Sequence, residues 1–146
     1  MSFTIYLSGE IHSEWREEIK QGIKELSLDI EVLSPVTDHE ASDAAADHLG
    51  EESSNFWRDH KSSKVNSIRT QTAIKKADLV VIRFGEKYKQ WNAAFDAGYC
   101  AALGTPYITM HSDALIHPLK EVDAVALAWT QTPREVVEIL KYTLQA

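Results

Sequence analysis

Short apolar runs alternate along this chain with longer stretches in which apolar residues recur at helical spacing. β-branched and aromatic residues predict five strands, at residues 3–8, 29–33, 79–84, 106–110 and 124–129. Helical periodicity predicts four helices, at residues 13–26, 57–76, 92–103 and 133–144. We therefore expect an α/β domain: a doubly wound, flavodoxin-like (Rossmann-like) five-stranded parallel sheet in the order 2-1-3-4-5, with helices on both faces.

Residues that favour helix ends refine these boundaries. Ser13 and Asn92 are good N-caps for the first and third helices, and Gly104 suits the left-handed position that ends the third. Pro133 fits the first turn of the last helix. The inner face of the second helix is expected to contain Val65, Ile68, Thr72 and Ala73.

Residues 36–56 have no clear period and few large apolar side chains. They carry six acidic residues, Asp38, Glu40, Asp43, Asp47, Glu51 and Glu52. Long irregular segments in compact domains are usually functional or disordered. Two interpretations stay open: a mobile or loosely helical lid over a ligand pocket, or a solvated acidic excursion without a role.

Length and composition limit the classes of function. With 146 residues, the chain (1–146) is expected to form one domain with a single core. The net charge of −7 and the lack of a basic stripe argue against nucleic acid as a partner. No apolar run is long enough for a membrane span, and residues 1–9 do not resemble a signal peptide. The single cysteine, Cys100, suits a reducing compartment, so we expect a cytoplasmic protein without membrane association.

The most informative carboxylate is Asp96, near the start of the 92–103 helix and just beyond the 79–84 strand. In open parallel sheets, ligands bind in the crevice at the carboxyl ends of the strands. An ionised carboxylate there is favoured by the helix dipole, and it can act as a nucleophile or stabilise an oxocarbenium ion at a sugar C1. The alternative is dipole complementation at the surface, but the apolar residues around Asp96 indicate packing against another group.

Further candidates lie at the ends of the first and third strands. Ser8, Gly9 and Glu10 end the first strand, where a glycine lets the backbone approach a ligand. An ordinary turn is the alternative. Asp78 opens the third strand, either to orient a ligand or to bond local backbone amides.

One helix start combines three groups that suit a base or a phosphate. Trp57 supplies an aromatic face, Arg58 a planar guanidinium and Asp59 an acid. An anchored helix start is the alternative. The chain contains neither G-x-G-x-x-G nor G-x-x-x-x-G-K-[ST], and its histidines have no metal-binding spacing. We therefore expect no metal and no cofactor.

Three motifs together resemble a known family. They are YLSGE at residues 6–10, ADLVVIRF at 77–84, and a carboxylate at 96 followed by AGYCAALGTPYI at 97–108. Over nearly its whole length the chain resembles the nucleoside 2-deoxyribosyltransferase family, and more narrowly its small YtoQ-type branch. The resemblance implies a nucleoside or nucleotide as small-molecule partner and assembly into homodimers or larger homo-oligomers.

The resemblance also implies roles for individual residues. Asp96 stands where the family has the nucleophile that forms a covalent deoxyribosyl intermediate, and Asp78 where it has an acid that binds and protonates the base. Tyr6 and Gly9 match pocket residues of the first strand, and Gly98 matches a family glycine.

Three positions depart from the family pattern. Gln90 replaces the second acid, and glutamine cannot protonate a leaving base. Asn92 lies in the WNAA stretch, where the family has a glycine-rich approach. The nucleophile is one methylene shorter than the family glutamate, and misplacement by ~1 Å can cost about 100-fold in rate. We expect substrate contacts from ten residues: Tyr6, Ser8, Gly9, Glu10, Trp57, Arg58, Asp59, Gln90, Asn92 and Gly98.

Three functions follow as alternatives. The first is cleavage or transfer of a nucleoside or nucleotide N-glycosyl bond with a carboxylate nucleophile. The second is a non-catalytic nucleoside- or nucleotide-binding module with a degenerate site. The third, a flavodoxin-like electron carrier, is the weakest, because no Ser/Thr-rich loop follows the first strand. Tyr88, Trp91 and Phe95, in or beside a short loop, predict an interface for self-association.

Overall fold

One five-stranded parallel sheet flanked by helices forms the structure, a computed structural model that describes residues 2–145. The strands are β1 (Phe3–Gly9), β2 (Ile30–Leu33), β3 (Leu79–Arg83), β4 (Tyr107–Met110) and β5 (Trp129–Thr130). The helices are α1 (Trp15–Glu25), α2 (His39–Asp43), α3 (Asn55–Lys76), α4 (Trp91–Leu103), α5 (Lys120–Val125) and α6 (Pro133–Leu144). None of these helices is long and apolar enough to cross a membrane.

The strand order confirms the predicted fold. The strands lie in the order β2-β1-β3-β4-β5, and each neighbouring pair is parallel. The chain passes from β1 to β2 on one side and returns to β3 on the other side of β1. This reversal opens a crevice between β1 and β3 at the carboxyl ends of the strands.

Alternating side chains of the central strands form a core on each face of the sheet. On one face Ile5 and Leu7 pack with Trp15 of α1 and Val136 of α6. On the other face Tyr6, Val80 and Ile82 pack with Ile74 of α3 and Ala97 of α4. Because strand side chains alternate between faces, Tyr6 and Ser8 of β1 lie on the α3–α4 side, where the crevice is.

The predicted fifth strand, at residues 124–129, is wrong for most of its length. Residues Lys120–Val125 form α5, and β5 contains only Trp129 and Thr130. The reason is a polar cluster that fixes α5 to the end of β4. Asp123 accepts hydrogen bonds from Thr109 Oγ1 and His111 Nε2, both at 2.7 Å.

The predicted inner face of α3 is wrong in part: Ala73 packs against the core and Val65 is half-buried, but the other two residues are not buried. Ile68 is 68% exposed and Thr72 is exposed, whereas Ser62 and Ile74 are buried. Only the last turns of α3 reach the sheet. Its first half packs on α2 through polar contacts, with Ser62 Oγ donating to Asp43 O at 2.6 Å and Asn66 Nδ2 to Ser42 O at 3.0 Å.

Two of the predicted helix ends are confirmed and two are wrong. Gly104 ends α4 with φ +74°, and Pro133 lies in the first turn of α6. Ser13 does not cap α1, because its hydroxyl donates to the Glu10 carboxylate instead. Asn92 does not cap α4, which begins at Trp91.

Candidate active site

A cavity of about 510 Å³ opens at the carboxyl ends of β1 and β3. Its floor contains Tyr6, Gly9 and Glu10, and its walls come from α3, α4, the loop at residues 85–90 and the segment before α2. This volume is in the range of small-molecule sites. The location is the crevice that the strand reversal predicts.

Asp96 of α4 points into this cavity and is held by one residue of β1. Ser8 Oγ donates a hydrogen bond of 2.6 Å to Asp96 Oδ2. Among residues 2–145, none donates a hydrogen bond to Oδ1. Burial raises the pKa of Asp96 to about 6, although the bond from Ser8 lowers it. The carboxylate is therefore largely ionised at neutral pH, with one oxygen available to a ligand.

Tyr6 lies beside Asp96 at the floor of the cavity. Its side chain is 1% exposed and hydrogen-bonds to the side chain of Thr70 on α3. Burial raises the pKa of Tyr6, and the charge of Asp96 raises it further. The phenol therefore stays protonated and can shape the floor as a neutral group.

The turn after β1 requires a glycine. Gly9 has φ +108°, and a Cβ at this position would lie 2.1 Å from the carbonyl oxygen of Arg83. The amide of Glu10 donates to the same carbonyl at 3.1 Å. The turn therefore holds β1 against the end of β3, directly below the cavity.

Glu10 organises this turn and is not a proton donor. Its carboxylate accepts hydrogen bonds from the His12 amide, the Ser13 hydroxyl and, at 3.2 Å, Arg83 Nε. Burial raises the pKa of Glu10, but these bonds outweigh it and lower the pKa overall. Arg16, which no sequence pattern singles out, donates to three backbone carbonyls, those of Leu7, Gly9 and Glu10.

Asp78, predicted as a catalytic acid, lies at the opposite edge of the sheet. Its Oδ2 accepts from Thr4 N at 2.8 Å, and its own amide donates to Thr4 O at 2.7 Å. It precedes β3, whereas Asp96 lies beyond the other end of that strand. At about 3.3 Å per residue, the five residues of β3 alone separate the two edges by roughly 16 Å. Asp78 therefore satisfies backbone groups and cannot take part in chemistry at Asp96.

Four of the predicted binding residues do not line the cavity either. Ser8 is fully buried in β1, and the other three lie on helices. Arg58 pairs with Asp47 through bonds of 3.0 and 2.9 Å, and Trp57 is 52% exposed. Only Asp59 of this trio lines the cavity. Gly98 is exposed on the outer face of α4 with open space beside it. Trp57, Arg58 and Gly98 each lie on a helix face turned away from the crevice.

Gln90 and Asn92 both line the cavity. Gln90 Oε1 accepts from Gly85 N at 3.0 Å and so closes the loop at residues 85–90. Val36, Ser42 and Asp43 of the acidic segment also line the cavity, and this segment is partly helical. Its action as a lid stays a prediction.

The two long walls of the cavity differ in chemistry. The α3 wall is polar and includes Ser63, Asn66, Ser67 and Thr70. The opposite wall is aromatic, with contributions from Tyr88, Trp91, Phe95 and Tyr99. A ligand with a flat ring on one side and hydroxyl groups on the other fits this arrangement, because aromatic faces stack on rings and hydroxyl and amide groups bond to hydroxyls.

Solved structures with a similar fold come from several different kinds of protein. A conserved protein from Enterococcus faecalis V583 has a TM-score of 0.65 at 14% identity, covering 99% of this chain and 100% of that one. A 2-deoxyribosyltransferase from Bacillus psychrosaccharolyticus has a TM-score of 0.53 at 15% identity, covering 92% and 90%. A CheY-like receiver domain from Methanospirillum hungatei JF-1 has a TM-score of 0.55 at 10% identity, covering 99% and 94%. At these identities the likeness concerns the fold alone.

Comparison of sequences identifies the family more specifically than comparison of folds does. The chain is 42% identical over 146 residues to the uncharacterized protein YtoQ of Bacillus subtilis (strain 168), covering 99% of both chains. A family model described as "Nucleoside 2-deoxyribosyltransferase YtoQ" matches residues 6–144, a stretch that includes the whole cavity floor and Asp96. The chain therefore belongs to the YtoQ family of nucleoside 2-deoxyribosyltransferase-like proteins.

Proposed function

We propose that this protein breaks the N-glycosyl bond of a nucleoside or nucleotide and passes the sugar to another base or to water, with Asp96 as nucleophile. Family membership supports nucleoside N-glycosyl chemistry in general. The single observation that carries the finer proposal is the Asp96 carboxylate, held by Ser8 at the floor of the cavity.

The geometry around Asp96 supports attack at the anomeric carbon. Ser8 bonds Oδ2, so Oδ1 is the oxygen that would meet C1′. As C1′ develops positive charge, the adjacent carboxylate stabilises it. The shorter aspartate requires C1′ to lie deep in the cavity, beside Tyr6. With C1′ in this position, the base stacks on the aromatic wall and the sugar hydroxyls contact the polar wall of α3.

The proposal predicts an acidic limb in the pH profile. Only ionised Asp96 can act as nucleophile, and its pKa is raised to about 6. Activity, measured as kcat/KM, should therefore fall as pH drops through about 6, because kcat/KM reports ionisations of the free enzyme. Ser8→Ala should move this limb to higher pH, since the bond from Ser8 lowers the Asp96 pKa. A limb near pH 4 in both proteins would contradict the assignment.

One observation favours a second function, a binding module without catalysis. Asp78 lies far from the cavity, Gln90 cannot donate a proton, and the Glu10 carboxylate is occupied by three hydrogen bonds. Incubation with a panel of nucleosides and their monophosphates separates the two functions. The catalytic proposal predicts release of free base. A binding module would instead show a raised melting temperature with unchanged nucleotide.

We also propose that the protein self-associates through the start of α4. Trp91 is 73% exposed and Phe95 is 65% exposed, and exposed aromatic residues at the centre of a patch often mark an interface. Light scattering at micromolar concentration should show a dimer or larger assembly that Trp91→Ser with Phe95→Ser reduces to monomer. Tyr142→Ser on α6, where the tyrosine is 81% exposed, is the matched control. A monomeric wild-type protein would contradict this proposal.

A further inference from the structure

The proposed cleavage requires a proton for the departing base, and we propose that the imidazolium of His12 supplies it. This inference rests on the proposed N-glycosyl activity. His12 lies in the turn after β1 and lines the same cavity as Asp96. Histidine exchanges protons near neutral pH more readily than any other side chain.

The other acids near Asp96 do not suit the task. Asp78 lies at the opposite edge of the sheet, where it bonds Thr4. The Glu10 carboxylate already accepts three hydrogen bonds, two from its own turn and one from Arg83 of β3. Tyr6 is buried, and a buried phenol gives up its proton reluctantly.

Two further aspartates, Asp59 of α3 and Asp43 of α2, line the outer part of the cavity and are too far from its floor. Thr70 marks the level of the cavity floor, because it bonds Tyr6. Asp59 lies eleven residues earlier on the same helix, which is about 16 Å along the axis at ~1.5 Å per residue. Asp43 packs at the level of Ser62, eight residues before Thr70 and about 12 Å away on the same scale. A base attached to a sugar at Asp96 does not reach either of them.

His12, in contrast, is held close to the floor by its own turn. Its amide donates to the Glu10 carboxylate. The carbonyl of Glu10 accepts from Arg16 Nη1 at 2.6 Å and Trp15 Nε1 at 2.7 Å. These contacts fix the backbone at His12 relative to β1, so the position of the ring depends on few rotatable bonds. Such a fixed support is what a proton donor requires.

The His12 ring faces the aromatic wall on which the base is expected to stack. Its centroid lies 4.5 Å from that of Tyr88, with the planes tilted by 48°. Tyr88 and Trp91 belong to the same wall. A base stacked there would have its edge beside the imidazole, and its sugar would extend toward Asp96.

The step balances in atoms and charge. The C1′–N bond breaks, and its electron pair moves onto the base. An imidazolium N–H proton goes to the base, while an Asp96 oxygen forms the new bond to C1′. The products are a neutral base, a sugar ester of Asp96 and neutral His12. The neutral imidazole can then accept a proton from water or from the incoming base when that molecule attacks the ester.

The test compares His12→Gln and His12→Ala with a matched control, His117→Gln, at a histidine outside the cavity lining. For the nucleoside that the wild type cleaves best, both His12 variants should lose about 100-fold or more in kcat/KM. Because only the imidazolium can donate the proton, kcat/KM of the wild type should also fall on the alkaline side of its pH profile, and both His12 variants should lose this alkaline limb. His117→Gln should retain both, and melting curves should show all variants folded.

A second substrate separates proton donation from a structural role. Its base leaves more readily: 7-methylguanosine for a purine site, or 5-fluorouridine for a pyrimidine site. The loss caused by His12→Gln should shrink to about 5-fold or less, because such a base needs little or no proton donation. An equal loss for both substrates, or an alkaline limb retained in His12→Gln, would overturn the role of His12. Asp96→Asn should abolish cleavage of both substrates, and a wild type inactive on both would instead overturn the proposed function.

Discussion

Asp96→Asn is expected to lower N-glycosyl cleavage by at least ~10³-fold, because the amide cannot form the bond to C1′ or stabilise positive charge there. The substitution keeps the shape of the side chain, and its amide oxygen can still accept from Ser8. Asp78→Asn, at the opposite edge of the sheet, should leave activity unchanged. Full activity in Asp96→Asn, or an equal loss in Asp78→Asn, would contradict the assignment of the site.

The same variant should not be less stable at neutral pH. The pKa of Asp96 is raised from 3.8 to about 6, so the folded protein binds this proton more tightly than the unfolded chain does. The free energy of unfolding therefore falls as pH rises through this window. At pH 7.5 we expect the free energy of unfolding of Asp96→Asn to exceed that of the wild type by about 1–2 kcal/mol. At pH 4 the gain should disappear. Urea unfolding at both pH values measures the difference.

Gly9→Ala is expected to produce the largest loss of stability. The residue has φ +108°, and the new Cβ would lie 2.1 Å from the carbonyl oxygen of Arg83. Backbone strain of about 1–3 kcal/mol and steric overlap of about 1–3 kcal/mol together predict a loss of ~3 kcal/mol or more. Because Glu10 and His12 follow this turn, ligand binding should weaken as well.

Gly98→Ala is the matched control for that experiment. Gly98 lies within α4, and a Cβ there would meet nothing within 4 Å. Replacing a glycine in a helix by alanine typically adds about 0.5–1 kcal/mol of stability. Urea unfolding should therefore show opposite signs for the two substitutions. A Gly9→Ala protein as stable as the wild type would contradict the positive φ of Gly9 and its close approach to Arg83.

The fold was predictable because the alternation of strands and helices is regular through the first four strands. The prediction of β5 is wrong because of a contact between residues that are distant in the sequence. Residues 124–129 are apolar enough for a strand, but Asp123 bonds Thr109 of β4 and His111, which follows β4. This contact holds residues Lys120–Val125 in a helix. A contact between residues more than ten positions apart is not visible in local periodicity.

The site was predictable only in part. Asp96, Tyr6 and Gly9 lie where the motifs at the strand ends indicate. Asp78 lies away from the cavity, contrary to the role that the family resemblance implies, because a residue that opens a parallel strand must lie at the amino edge of the sheet. That rule, applied to the sequence alone, would have excluded it.

Other members of the site leave no local signal. Thr70 belongs to a helix on which several polar residues line the cavity, so the amphipathic pattern of this helix is misleading. Arg16 is buried because its guanidinium binds three carbonyls of the turn after β1. An arginine directly after a tryptophan at a helix start could equally well be exposed.

The most direct test of the central claim is to look for free base and for a sugar on Asp96. Wild-type protein would be mixed with nucleosides, 2′-deoxynucleosides and their monophosphates, quenched in acid, and analysed by chromatography and by mass spectrometry of its peptides. We expect free base from at least one substrate and a pentosyl adduct on the peptide that contains Asp96. Free base from none of them, or an adduct on a different residue, would contradict it.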